Sequence, residues 1–525
     1  MKSGLSFFLI AFFFIANSAN AQRPDFNNDI ASIIYTNCTP CHHDGGMAPF
    51  PLVSYDDISL YSSWIADVVT EGIMPPWPPD TTYQHFVNER TLSAADIQAI
   101  VDWVNIGAPQ GCSDTPPQPV YTGNSILGTP DLQLTIPTYT SKATGDDDHV
   151  CFSLPTGLTT NKMIRAIEVI PGNREIVHHA VISLDTAGTF QTDTSSGACG
   201  GPADAIVIAG YAPGVSPVVF PNGSGVKMGV SLNVGTNVIV GLHYPQGSAG
   251  GTDYTSVNLF FYPDGETGIR EVYAGSVLSD WTFCVPPGSI TEVVDSLPAD
   301  TSTIPWDFSV LSVTPHMHLL GKSFEVYALD ANRDTIPFIK INDWDFDWQD
   351  FYFFKKIKKL PAGSKLFGRA VYDNTAANPH SQNVTVCAGS STTDEMFLVS
   401  LYVLPYEPGD ENINLDSLLA MPGNDSFADP PKRVPEVTIY PNPFTTETVL
   451  EYELEEQSDV SLTINNVKGQ VVVQLVLGTE EPGFHCVHWD GKNAGGSPVA
   501  EGVYFYRLQI GETVKIGKAV YIRTD

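Results

Sequence analysis

Phe308-Ser-Val-Leu-Ser-Val-Thr-Pro-His-Met-His-Leu-Leu-Gly321, running on to Leu329, is the stretch whose reading decides the fold. Apolar residues alternate on both sides of its histidines: Phe308, Val310, Leu311 and Val313 before, Phe324, Val326, Tyr327 and Leu329 after. Such alternation marks β-strands. Residues i and i+2 of a strand project from one face, so His316 and His318 offer two imidazoles side by side. Imidazole suits copper, zinc, iron or nickel, so the pair says metal without saying which. Taken alone, two strand histidines are more often core or solvated residues, and the rest of the chain has to arbitrate.

Outward from this stretch, residues 125 to 410 keep one texture. Short alternating runs (164–170, 205–208, 238–242 and 257–261) are separated by Gly, Pro and Asn turns, and helical periodicity almost vanishes. The texture is that of β-sandwiches, and the length predicts two in tandem, 125–285 and 286–410. Three further metal-like features fall here. His178-His179 ends one run, His243-Tyr244 ends another, and Thr392-Thr-Asp-Glu-Met396 precedes the strand 397–404. Each has a bland alternative, a core Met above all for Met396.

Residues 22–112 read differently. Cys38-Thr-Pro-Cys41-His42 has the spacing of c-type haem attachment, two thiols for the vinyl groups and the adjacent His as proximal iron ligand. Ile30, Ile33 and Ile34 predict a helix leading into the motif. Ser93 caps a second whose apolar residues are Ile97, Ile100, Val101 and Val104, with Gly107 as its stop. The expectation is a small all-α, cytochrome c-like unit. Met74, in a Pro-rich loop, is the sixth-ligand candidate, since Met with His raises the haem potential. Met47, His43 and His85 are weaker choices.

Composition bounds the partners. The chain has 525 residues, 42% of them hydrophobic, and 26 basic against 59 acidic residues give a net charge of −33. That argues against nucleic acid and anionic membranes as partners. Met1-Lys2, an apolar run over 5–16 and Ala19-Asn-Ala21 predict a signal peptide over 1–21, and no later stretch is long enough to span a membrane. An exported protein meets oxidising conditions. Of its 8 cysteines, the six outside the haem motif could form up to three disulfides. Pro-rich linkers are expected at 113–124 and 411–435.

His-His, His-Tyr, Pro-His-Met-His-x-Leu-Gly and Thr-x-Asp-Glu-Met, in that order, resemble the copper type II ascorbate-dependent monooxygenases, relatives of the peptidylglycine and dopamine hydroxylating enzymes, over roughly residues 130–405. The resemblance implies an electron-transfer copper on His178, His179 and His243, and an oxygen-binding copper on His316, His318 and Met396. It also implies the disulfide Cys151–Cys199, with Cys284–Cys387 as a further pair. Two positions depart from the peptide-amidating members: Thr314 stands for a substrate-binding Arg, and Ser400 for a Tyr. A glycine-extended peptide is therefore not the expected substrate.

Residues 436–525 form a last β unit, opening with Tyr440-Pro-Asn-Pro443 and closing through Gly502-Val-Tyr-Phe-Tyr-Arg-Leu508. It resembles the C-terminal sorting domain of the type IX (Por) secretion system. That implies the secretion machinery as a partner, a secreted or cell-surface location, and removal of the unit after export. Cys486, His485 and His488 are structural on this reading.

Together these expectations describe a multidomain exported protein with two coppers and haem c that hydroxylates a C–H bond of a small organic substrate with O2. The electrons come from an external donor through the tethered haem, with ascorbate as the other candidate reductant. The alternatives are a non-enzymatic copper carrier of the same fold and a β-rich adhesin.

Overall fold

The computed structural model describes residues 24–44, 48–112, 116–119, 125–195, 199, 201–202, 205–212, 215–223, 225–346, 348–389, 391–419, 427–428, 437–454, 456–511 and 513–523. The expected signal peptide and Met47 lie outside them. Sheets dominate, and the longer helices gather at the N-terminal end.

Four α-helices form that end: α1 Ala31–Asn37, α2 Tyr55–Leu60, α3 Ser62–Thr70 and α4 Ala94–Asn105. They bury Phe26, Ile30, Ile34, Ile58, Ile65, Ile100 and Trp103 against one another. Ser54 with Asp57 and Ser93 with Asp96 close reciprocal capping boxes that satisfy the first N–H groups of α2 and α4. Gly107 ends α4 at φ 99°, a conformation that favours glycine.

Between α3 and α4 the chain leaves this unit. Residues 77–90 run as a strap over a neighbouring sheet, where Asp80 N–H donates to Lys340 O (2.7 Å) and Val87 N–H to Phe353 O (2.7 Å). Phe86 is fully buried in the core of the second sandwich, and Trp77 packs against the same core. Sequence alone assigned all of 22–112 to one helical unit; the strap belongs by packing to the β-region. Its prolines and its short apolar pair, Phe86-Val87, carry no helical or strand period, which is why it reads as loop.

The first sandwich contains β1 Asp148–Pro155, β2 Lys162–Ile170, β3 His179–Asp185, β4 Ile206–Tyr211, β5 Val226–Leu232, β6 Asn237–Tyr244 and β7 Ser256–Phe261. One sheet has the order β1-β6-β3-β4, while β5, β2 and β7 lie adjacent in the other. Inward residues such as Val150, Phe152, Ile164, Ile182, Met228, Val240 and Leu259 fill the space between.

The second sandwich contains β8 Tyr273–Ser279, β9 Ile290–Leu297, β10 Phe308–His316, β11 Gly321–Leu329, β12 Thr335–Ile341, β13 Tyr352–Leu360, β14 Lys365–Asp373 and β15 Leu398–Pro405. Its sheets are β8-β15-β10-β13 and β9-β14-β11-β12. Because β8 pairs with β15, residues 273–279, expected in the first sandwich, belong to the second.

Cys151–Cys199 and Cys284–Cys387 are bonded, as the resemblance implied, and a third bridge joins Cys112 to Cys486. Two short strands within the expected linkers also pair, Gln118–Pro119 against Phe427–Ala428. The C-terminal unit is a sandwich of three and four strands around Leu450, Tyr452, Leu462, Trp489 and Leu508.

Candidate metal centres

The first centre is a product of strand register. His243 on β6 stands directly opposite His149 on β1 and His179 on β3, so three imidazoles share one rung of the sheet. Directly opposed residues project from the same face. His178, just before β3, is held by its own N–H donating to His243 O (3.0 Å). Nδ1 of His179 then lies 3.2 Å from Nδ1 of His178 and 3.2 Å from Nδ1 of His243. Three ring nitrogens so placed cannot all carry protons, and lone pairs converging on one point are what a metal ion needs. Burial holds His179 well below the usual imidazole range, in the neutral form that binds metals.

The second centre is built at a strand end. His316 closes β10 opposite Leu398 of β15; His318 and Met396 lie just past these strand ends and line the same cavity as His316. The loop bearing Met396 is clamped by Glu395, which is fully buried. Its carboxylate accepts the N–H of His318 (3.0 Å), of Leu320 (2.6 Å) and of Met396 (3.2 Å). Burial pushes its pKa up to about 7, while the backbone donors act against that shift.

Both rings of this centre are oriented through Nδ1. His316 Nδ1 faces the Gln349 side-chain oxygen, and His318 Nδ1 donates to Asp394 O (3.1 Å). Each Nε2 is thereby left as the ligand atom. Burial lowers the pKa of both, that of His318 to about 3. Two imidazoles and a thioether make a softer donor set than three imidazoles, so the two groups differ in donor chemistry.

One cavity of about 360 Å³ joins them. Its walls include His178, His179, His316, His318 and Met396, with Phe346 ring-on-ring against His178 (5.4 Å) and edge-on to His318 (5.9 Å). Thr314 and Ser400, the two positions that depart from the peptide-amidating pattern, also line it. Its described lining contains neither Lys nor Arg.

In the helical unit the Cys-x-x-Cys-His turn follows α1. Cys38 and Cys41 are unpaired, and burial pushes the Cys38 thiol up to about 12. His42 Nδ1 hydrogen-bonds Phe50 O (3.1 Å), leaving Nε2 for an iron. These residues fit haem attachment. Met74 is 39% exposed where the chain leaves α3, outside that unit's core. Arg90, at the end of the strap, sits near enough to Cys41 to oppose its burial shift, and its guanidinium lies 5.0 Å over the Trp348 ring. Trp348 adjoins Gln349, the partner of His316.

His149, Asp147, Glu395, Gln349 and Phe346 were missed as functional residues. Only Glu395 lay within a quoted motif; the others act through register or through a loop with no motif of its own.

Comparison with known proteins agrees with the second centre's setting. Residues 272–416 match the family Copper type II ascorbate-dependent monooxygenase, C-terminal domain, and residues 442–512 match the FlgD Ig-like domain. The first match supports a copper-dependent monooxygenase at the level of family; the second supports an Ig-like β domain where a sorting domain was expected. No curated protein matches the chain. Among solved structures, dimeric latent PorU from Porphyromonas gingivalis is similar at 8% identity and TM-score 0.16, over 72% of this chain and 34% of that one. The FMN-binding beta-glucuronidase from Facaelibacterium prausnitzii L2-6 is similar at 10% identity and TM-score 0.12 (48% and 40% covered). The VP2 subviral particle of infectious bursal disease virus is similar at 11% and 0.15 (56% and 76%). At such scores the likeness does not reach a common fold.

Proposed function

We propose that the protein is an exported copper monooxygenase that hydroxylates a C–H bond of a small organic substrate, with electrons delivered by a c-type haem on its own N-terminal unit. The observation that carries this reading is the shared cavity, onto which His178 and His179 of the three-imidazole group open together with His316, His318 and Met396. Copper held by these groups would supply one-electron redox chemistry and the activation of dioxygen.

The residues have separable tasks. His316, His318 and Met396 hold the ion at which oxygen chemistry takes place, the thioether favouring the reduced state. His178, His179 and His243 hold the ion that stores an electron. Phe346, Trp281, Val207, Phe351 and Leu398 give the cavity an apolar lining suited to a small organic body. Among the described residues the lining has no Lys or Arg, so the cavity offers no fixed positive charge to a substrate carboxylate, which supports the exclusion of glycine-extended peptides.

Cys38, Cys41 and His42 would hold the haem. The strap and the Arg90–Trp348 contact support delivery within one chain, since they fix the helical unit against the loop that orients His316. We further infer export through a type IX route from the C-terminal motifs.

The test is oxygen uptake in a screen of phenethylamines, peptides and other small organics, with copper and haem counted in the same samples. The wild type is expected to hold two coppers and one haem and to consume oxygen with one substrate class. Met396→Ile is expected to lose substrate-coupled uptake while keeping the three-histidine copper. A chain that binds copper but never couples oxygen to a substrate is a copper carrier instead.

A further inference from the structure

Asp147 immediately precedes β1, two residues before His149, and by strand alternation shares its face. Its Oδ2 lies 3.2 Å from Nε2 of His243, a ring that is only 2% exposed; the approach falls short of a well-aligned hydrogen bond, so the carboxylate acts on that buried nitrogen chiefly as the nearest negative charge. Its Oδ1 accepts the N–H of Gln246 (3.0 Å), and Thr392, in the loop leading to Met396, also hydrogen-bonds this carboxylate. The neighbouring Asp148 is differently engaged: it accepts from Tyr139 OH (2.8 Å) and Lys142 N–H (2.8 Å).

We propose that Asp147 is the positioning residue of the three-histidine centre: it holds the proton of His243 on Nε2 and so aims the Nδ1 lone pair at the ion. The inference rests on reading that centre as a copper site. A neutral imidazole carries one proton, and the nitrogen that keeps it is the one facing an acceptor or a negative charge. A carboxylate behind a ligand histidine fixes ring rotation and raises ligand basicity. Here the same carboxylate reaches Thr392 of the second sandwich, so the electron-storing centre and the Met396 loop share one anchor.

A competing assignment makes Asp147 a ligand. Donor atoms of Asp147, His149 and His243 all lie within 4.8 Å of one another, a spacing that also suits an ion of their own. Ring geometry favours positioning. His149 stacks on His243 with centroids 4.3 Å apart and planes 3° from parallel. An ion in the plane of one ring is then out of the plane of the other, so the two nitrogens do not converge. His149 buttresses the ring that Asp147 orients.

The test uses the full chain with His318→Ala, so that the three-histidine centre alone is loaded, and Cu(II) as the probe. Asp147→Ala is expected to weaken Cu(II) about 10–100-fold and to change its electron paramagnetic resonance hyperfine splitting. Asp147→Asn, which keeps an acceptor oxygen, is expected to recover part of both. In metal-free protein labelled with 15N-histidine, the His243 proton is expected on Nε2, and Asp147→Ala is expected to release it to Nδ1. Near-ultraviolet circular dichroism of each variant checks that the fold is kept. A wild-type proton on Nδ1, or copper affinity and spectra unchanged in Asp147→Ala, overturns the proposal. So does the loss of a separate copper equivalent in both Asp147→Ala and His149→Ala, which would make these residues ligands. If the wild-type centre takes no copper, the monooxygenase reading fails, and the metal-free spectra still decide the pairing of Asp147 with His243.

Discussion

The two sandwiches bring their candidate metal ligands together by different means. In the first, one rung of one sheet does most of the work: β6 sets His243 between His149 and His179, and a backbone hydrogen bond to His243 O holds His178 beside them. In the second, β10 supplies His316, but His318 and Met396 lie past the strand ends and are held by a buried carboxylate and a loop. The second sandwich also borrows part of its core from the strap. A centre built on register tolerates damage elsewhere; one built on loops depends on whatever packs behind them. Phe86→Ala sharpens this contrast most. Phe86 is fully buried among Trp77, Tyr352 and Phe354, and truncating such a ring costs about 3–5 kcal/mol. Urea unfolding is expected to report that loss, together with easier proteolysis of residues 77–90. Copper at the three-histidine centre is expected to stay; its loss in parallel would break the contrast.

Glu395→Ala is the next test in size. It strips the acceptor from the N–H groups of His318 and Leu320, and each buried orphan costs about 1–3 kcal/mol. Part of this is offset, because the substitution also removes a carboxyl that burial already disfavours in its charged form. The expected outcome is one copper equivalent lost per chain and the other retained, with Glu395→Gln intermediate. Equal weakening of both centres would show that the rung, too, depends on the clamp.

These differences in construction also govern what could be read from the sequence. The candidate ligand side chains were legible as candidates, since His, Met and Cys carry their chemistry in the residue type and sit in short motifs such as Pro315-His316-Met317-His318. The β texture of 125–410 was legible from alternation. What escaped was everything defined by partners far along the chain. Asp147 sits in a run of three aspartates, 146–148, that looks like a solvated surface until β1 is laid against β6. Glu395 was visible as a letter in a motif, but its backbone partners lie 75 to 77 residues away. The strap, with Pro78 and Pro79 and with Pro75 and Pro76 just before it, reads as an irregular loop, and only the strands it lies on reveal its role. Cys112 and Cys486 are 374 residues apart, beyond the reach of any spacing rule. That bridge also means that chain cleavage between the sandwiches and the last unit would not by itself release the unit.

The smallest expected effect concerns pH, and it again belongs to the second sandwich. Lys358 on β13 donates through Nζ to Gln84 of the strap (2.6 Å) and to Pro337 O. Burial lowers its pKa from 10.5 to about 8, although its ammonium lies 4.9 Å over the Phe354 ring, a contact that favours charge. A depressed lysine pKa means that between pH 8 and 10.5 the unfolded chain holds a proton the folded chain has given up. Stability therefore rises with pH across that window, by at most about 3 kcal/mol from this group, and the gain is absent below it. Lys358→Met keeps the apolar stem and removes the titration. The difference between wild type and variant in thermal or urea unfolding is expected to grow in favour of wild type from pH 8 upward. A difference that stays flat over the window would mean that Lys358 is solvated and that the strap is held by Phe86 and the backbone contacts alone.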